Sequence, residues 1–541
     1  MLQNTKGTSK LGVMLDCSRA AVMSIDELKR FIVYLKDMGY NSLQLYTEDT
    51  YEIDEPLFGH LRGRYSKAEL KEIDDFAYEN GIELVPCIQT LGHLTTLFYW
   101  DRLYDYKDNT SILWCGEEKV YDLIEKMFKT CDECFRSRTV NIGMDEAWLL
   151  GAGNYYDKHG PTKREDVLLP HLNRVSEMAK KYNFTLVMWS DMFFRMAGYN
   201  EYYVKGAVIP EEVRKKVPEN VELAYWDYYT EDKDLYDNML DSHISFDRNV
   251  WFAGGAWRWI GFQSGNQKTF DTTLPAIKSC NERNVNDILI TLWGDDGSEC
   301  PVYAALPGIV YAAECAKGNY DLENSKKKFE ELFGESWDDF MLFDLKMPAD
   351  VKLYRENATG AKEMLYSDPF LGKFDGGVYG TGIESKIYAE KTEQMKQAKA
   401  RSKNYAYMFD YYEKLCRLLS VKYELGYRSR FFYQKGDKAM LKKVVKEYGL
   451  AIKYLEEFIE AFRVAWFKIN KPQGFEVHEI RLGGVMLRLK SCKKRLELYL
   501  KGKVDRIDEL EESFENPFVG DVEKAIPMFN CYRQTATLNE I

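Results

Sequence analysis

Two adjacent carboxylates, Asp145 and Glu146, close the segment Asn141-Ile142-Gly143-Met144-Asp145-Glu146, with Trp148 just behind them. Sequence neighbours at the end of a strand point in different directions, so they can serve one substrate in two roles. A glutamate whose pKa is raised by burial and a nearby anion can protonate a glycosidic oxygen. Its aspartate neighbour cannot act as an inverting base across a water, which needs a wider gap. Its natural task is to orient and polarise a substrate group. Similar residue types recur in Asp16-Cys17-Ser18-Arg19, Tyr46-Thr47-Glu48-Asp49, Gln89-Thr90-Leu91-Gly92-His93, Trp189-Ser190-Asp191, Trp226-Asp227-Tyr228-Tyr229, Trp257 and Trp293-Gly294-Asp295-Asp296. Indole faces stack on the apolar faces of pyranoses, and carboxylates bind hydroxyls or move protons. The set has the profile of a sugar pocket.

Every one of these segments follows a strand signal. Apolar runs at Leu11–Asp16, Ser42–Tyr46, Glu83–Ile88, Thr139–Gly143, Thr185–Trp189, Val221–Trp226, Val250–Gly254 and Asp287–Trp293 alternate with helical periodicity. Ser24 with Glu27, and Ser66 with Glu69, read as capping boxes, while Gly39 and Gly81 read as helix stops. Further helices are expected around Lys119–Phe135 and Arg164–Tyr182. Strand–helix alternation of this kind predicts a parallel sheet, and the repeat number predicts a closed (β/α)8 TIM barrel. An open doubly wound sheet is disfavoured because no Gly-rich phosphate loop follows the first strand. The expected organisation is an N-terminal tail over 1–10, a catalytic barrel over 11–340 and an α-helical domain over 341–541. The last rests on Leu441, Val444, Tyr448, Ile452, Leu455, Ile459 and Phe462 at helical spacing within Lys438–Trp466, with similar stretches at Glu384–Leu425 and Val485–Leu500.

Composition narrows the function classes. The chain has 541 residues, 45% hydrophobic and 30% charged, a balance for a large soluble core. Lys and Arg number 74 against 86 Asp and Glu, a net charge of −12 that argues against a nucleic-acid partner. Aromatics reach 14%, which fits packed cores or sugar-stacking surfaces. The start, MLQNTKGTSKLGVMLD, has no secretory pattern, and the apolar run Tyr303–Ala313 is too short for a bilayer. The 11 cysteines show no framework spacing, and the Cys131/Cys134 pair has no companion pair at zinc-finger distance. The six histidines (60, 93, 159, 171, 243, 478) lack metal-ligand spacing. A cytoplasmic location with reduced thiols, no metal, no cofactor and no membrane association are therefore expected.

The chain resembles the family 20 glycoside hydrolases, the β-N-acetylhexosaminidases, from about residue 11 to 320. The resemblance rests on LDCSR in the first strand, LGH at 91–93, NIGMDE at 141–146 and the tryptophans ending strands 5, 6 and 8. It implies an exo-acting enzyme that removes terminal non-reducing N-acetylglucosamine or N-acetylgalactosamine with retention. In that family the 2-acetamido oxygen attacks C1 to form an oxazolinium, an exception to the scheme of two enzyme carboxylates. Glu146 is then the acid and later the base, and Asp145 holds the acetamido N–H. Tyr228 donates to the acetamido oxygen, while Trp189, Trp226 and Trp293 wall the pocket, with Trp257 a further aromatic contact. Arg19 binds the 3- and 4-hydroxyls, and Asp295 lies near the 4- and 6-hydroxyls.

His93 fits either the orientation of a carboxylate or a barrel-rim hydrogen bond, and Glu48 and Asp49 fit site support or a capping role. The chain departs from the family's pattern at Asn141, where a histidine is common, in starting its first strand near residue 11 without a preceding β-rich domain, and in the short WDYY loop, which leaves the tyrosine open between Tyr228 and Tyr229. A connection at 470–476 either links two helices or leans over the barrel mouth. Expected partners are oligosaccharides or glycoconjugates bearing N-acetylhexosamine, and a homodimer is possible through the helical domain's apolar faces. The competing readings are an O-GlcNAcase or chitinase-like enzyme, although the DxxDxDxE pattern of chitinases is absent, and a non-catalytic barrel lectin, against which Glu146 speaks.

Overall fold

Eight strands, β1 (Leu11–Asp16), β2 (Ser42–Glu48), β3 (Glu83–Ile88), β4 (Thr139–Asn141), β5 (Thr185–Trp189), β6 (Val221–Trp226), β7 (Val250–Gly255) and β8 (Asp287–Leu292), pair in sequence order into a closed parallel barrel. The computed structural model describes residues 9–199, 201–348, 351, 359–515 and 531–539, so most of the expected 1–10 tail lies outside the described residues. The ring closes where Leu11 and Gly12 of β1 meet Ile288 and Leu289 of β8. The strands are buried along almost their whole length. That is why they read as continuous apolar runs rather than as alternating ones. Met14, Tyr46, Cys87, Val187, Trp189, Ala224, Trp251, Ala253 and Leu289 pack together as a core, with Trp226 and Trp293 packed against it.

The helix Lys67–Glu79 starts with the expected capping box, in which the Ser66 hydroxyl accepts from the Glu69 amide. The helix Ile25–Met38 starts after Ser24, whose side chain makes no cap hydrogen bond, and Glu27 pairs with Arg30 at 3.1 Å. β4 is shorter than the expected Thr139–Gly143. Gly143 and Met144 take left-handed φ values of 71° and 70°, which turns the chain out of the sheet after Asn141.

The described chain divides into two units. The first holds all the strands (Met1–Ala256, Thr269–Trp293 and Gly308–Ser325), and the second comprises Trp257–Lys268, Gly294–Pro307 and Lys326–Ile541. The second is helical, with Ile383–Arg401, Ala406–Lys422, Leu425–Gln434, Lys438–Ile469 and Phe475–Leu500 as its long elements. The stretch expected as Glu384–Leu425 is broken after Arg401. The amides of Lys403 and Asn404 donate to Glu335 and that of Tyr405 donates to Ser402 Oγ, so these donors leave the helical ladder. Residues 470–474 connect two helices, and Phe475 opens the second one, buried against Phe462 and Trp466. Inside this unit a fully buried Lys362 bridges Asp296 and Glu299 at 2.8 and 2.9 Å, and Arg481 donates to Asp296 Oδ1 at 2.8 Å. Cys131 and Cys134 are buried thiols on the helix Glu118–Cys134. Among the described residues, no helix is long and apolar enough to cross a membrane.

Candidate active site

The end of β4 is the centre of the site. Gly143, Met144 and Glu146 all have positive φ, and so do Glu48, the last residue of β2, and His93 after β3. For side chains other than glycine this conformation costs about 1–3 kcal/mol each, and it persists only where the surroundings over-determine it. Here the surroundings are polar and buried. Gln89, at the end of β3, donates from Nε2 to Asp145 Oδ1 at 2.7 Å and to the Tyr46 hydroxyl at 3.0 Å, while its Oε1 accepts the Met144 amide at 3.2 Å. One amide side chain thereby locks the turn that presents both carboxylates.

Asp145 and Glu146 are adjacent yet differ in environment. The Asp145 side chain is 11% exposed and that of Glu146 39%, so the second is the one with reach toward a ligand. His93 Nε2 lies 3.1 Å from Asp145 Oδ2 and 3.8 Å from Glu146 Oε2. Burial pulls the His93 imidazole down, but the Asp145 carboxylate beside it more than reverses this and lifts it to about 9. Burial pushes Asp145 up, yet the His93 charge and the His93 and Gln89 contacts outweigh it and hold the carboxyl below its ordinary value. Burial and then the Asp145 charge raise Glu146. The surroundings therefore push the two neighbours apart, Asp145 below and Glu146 above the ordinary carboxyl value, in the sense that acid–base roles require.

Around the pair lie most of the residues expected from the sequence. Arg19 forms an ion pair with Glu48, whose Oε1 also accepts the Tyr46 hydroxyl at 3.1 Å. Both Arg19 and His93 act electrostatically on Glu146. Trp189 is fully buried, its ring 6.2 Å from that of Trp293, and its indole N–H meets no acceptor among the described residues. Trp293 packs edge-on to Tyr46 at 4.7 Å, and Trp226 stacks on Tyr228 at 5.5 Å. The buried Tyr228 hydroxyl is hydrogen-bonded to the side chains of Trp293 and Thr291, whereas Tyr229 is half exposed. Asn141 accepts the Gly143 amide at 3.0 Å and donates to Gln44 at 3.3 Å, bonds that hold the turn from below. Trp257, stacked on Trp259 at 4.6 Å, and the half-buried Asp295 belong to the second unit. Asp49 is buried on Arg62, and burial pushes it up to about 6 despite that partner.

Gln89, Tyr46 and Asp191 complete the constellation without having been singled out. Gln89 and Asp191 stood in the strand-end segments, but sequence alone gave no reason to rank a glutamine or a further aspartate there. Arg195, whose guanidinium lies 3.0 Å from the centroid of the Trp148 ring, carried no signal at all. Among the described residues no group of three or more His, Cys, Asp or Glu could hold a metal ion.

The chain matches the model of the glycosyl hydrolase family 20 catalytic domain over residues 11–241, and that of the Glycoside Hydrolase 20C C-terminal domain over residues 338–524. Bovine Hexosaminidase D is 27% identical over 227 residues, which cover 39% of this chain and 61% of the relative. Human Hexosaminidase D is 25% identical over 235 residues, covering 41% and 45%. The chain thus spans about half to three-fifths of the length of these relatives. Among solved structures, the chitobiase of Flavobacterium johnsoniae aligns with a TM-score of 0.46 and 14% identity, covering 82% of this chain and 75% of that one. The β-N-acetylhexosaminidase of Bacteroides fragilis aligns at 0.44 and 19%, covering 60% and 71%. The first family match begins at the opening residue of β1 and takes in the Asp145–Glu146 turn, and the second begins beyond the last strand. On both matches, the chain belongs to glycoside hydrolase family 20.

Proposed function

We propose that the chain is an exo-acting β-N-acetylhexosaminidase that cleaves terminal non-reducing N-acetylhexosamine residues with retention, through an oxazolinium intermediate. The observation that carries the reading is the split of Asp145 and Glu146 into a buried, ionised carboxylate braced by Gln89 and His93, and a more accessible carboxyl of raised pKa. In the first step the acetamido oxygen of the bound sugar forms a bond to C1 as the C1–O glycosidic bond breaks. Glu146 gives its proton to the departing oxygen, and Asp145 holds the acetamido N–H and balances the positive charge that develops. In the second step water attacks C1, Glu146 takes the water's proton, and the acetamide is restored.

On this reading Trp189, Trp226 and Trp293 wall the acetamido group, Tyr228 donates to its oxygen, and Arg19 takes ring hydroxyls. His93 keeps Asp145 anionic, since an imidazolium persists beside it up to about pH 9. The substrate class is an oligosaccharide or glycoconjugate ending in N-acetylhexosamine. Glu146→Gln should lower kcat on an unactivated N-acetylhexosaminide by about 10²–10⁴-fold, the usual worth of a general acid, with an unchanged melting temperature. NMR of the first-formed anomer should show β product. Wild-type-like turnover by the variant, or α product from the native enzyme, would overturn the reading.

A further inference from the structure

We propose that Asp191 is a positioning residue for Glu146, holding the acid's backbone amide and the Trp226 indole with its two carboxylate oxygens; this rests on the hexosaminidase reading above. Asp191 lies two residues beyond the end of β5, after Ser190, and is completely buried. Its Oδ2 accepts the Glu146 backbone N–H at 3.0 Å, and its Oδ1 accepts Trp226 Nε1–H at 3.4 Å. A buried carboxylate is expensive to keep, so its place needs a reason.

The backbone supplies that reason. Glu146 stands at a φ of 49°, a conformation a glutamate leaves unless something holds it. Gln89 pins the preceding residues through the Met144 amide and Asp145. The Asp191 side chain accepts the amide of Glu146 itself, at a place where burial and then the Asp145 charge push its own pKa up to about 7. Its other oxygen holds Trp226, which stacks on Tyr228. The proton donor and one wall of the sugar site thus share a single buried support. Misplacing a catalytic group by about 1 Å can cost about 10²-fold in rate. Asp191 exposes no surface to a ligand, so it acts through Glu146 and Trp226.

The test separates the positioning of the acid from general damage. Asp191→Ala should lower kcat on an N-acetylhexosaminide with a sugar or alkyl leaving group by about 10²-fold with KM little changed. On the dinitrophenyl glycoside, whose leaving group needs no proton, the loss in kcat/KM, which reports the first step and not the later attack of water, should stay within about threefold, against about 10²-fold in kcat/KM on the poor leaving group. Asp191→Asn keeps an oxygen acceptor for the Glu146 amide and should restore most of the rate on the poor leaving group; it carries the test if the alanine variant folds poorly. Equal losses on both substrates, or an asparagine variant as slow as alanine in a folded protein, would overturn the proposal. Turnover of the dinitrophenyl substrate by the native enzyme tests the hexosaminidase reading separately.

Discussion

The charge balance at the site is decided by a few atoms. His93 and Asp145 shift each other in opposite directions, since each stabilises the other's ionised form in a place that disfavours any charge. Glu146, next in the chain, feels the Asp145 charge as repulsion and retains its proton to higher pH. Asp145→Asn should remove the partner that lifts His93, so its titration, followed by NMR of the ring protons, should fall from about 9 to about 6.5 or below, because burial still lowers it. Turnover should fall in the same variant, because the proposed partner of the acetamido N–H is no longer anionic. A His93 titration unchanged in Asp145→Asn would show that another group sets it.

At the scale of elements, the site is a product of strand ends. β3 delivers Gln89 and His93, β4 the two carboxylates, β5 Trp189 and Asp191, and β6 Trp226, as barrel geometry requires of residues at the carboxyl ends of its strands. Gly143 is the tightest point. A β-carbon there would stand 2.1 Å from Gln89 Oε1, on a backbone whose φ is +71°. Gly143→Ala should therefore push Gln89 away from Asp145 and Met144. We expect a destabilisation of about 1–3 kcal/mol, read by urea unfolding, with activity lowered by at least about tenfold. The capping boxes show the limit of local rules. Ser66 and Glu69 form theirs, whereas Glu27 has Arg30 within reach and the Ser24 cap is not made.

For the whole molecule, the helical unit carries a pH dependence of its own. Burial lifts Asp375 to about 7, and burial together with the charge of Glu424 lifts Glu384 to about 7. Both lie above their unfolded values of about 4, so the folded unit holds protons that the unfolded chain releases. This contribution to stability is complete below about pH 4 and is lost as pH rises through about 7. The melting temperature of the native chain should therefore fall between about pH 4 and pH 7, and Glu384→Gln should flatten the fall, as measured by calorimetry across that range. An unchanged slope in the variant would place the dependence elsewhere.

The order of elements, the barrel and the Asp145–Glu146 centre were legible in the chain itself, because periodicity, caps and strand-end chemistry are local properties that each segment carries alone. So was the family, through NIGMDE at 141–146 and LGH at 91–93. Only the tertiary structure decided which carboxyl is held low and which is raised, since that depends on His93 and Gln89 arriving from another strand and on how much water they exclude. It also decided that Tyr228 is buried and hydrogen-bonded while its neighbour Tyr229 is half exposed, and that Asp191 grips the Glu146 amide. Those are contacts between residues tens of positions apart, and burial and electrostatics are properties of the assembled barrel rather than of any one segment.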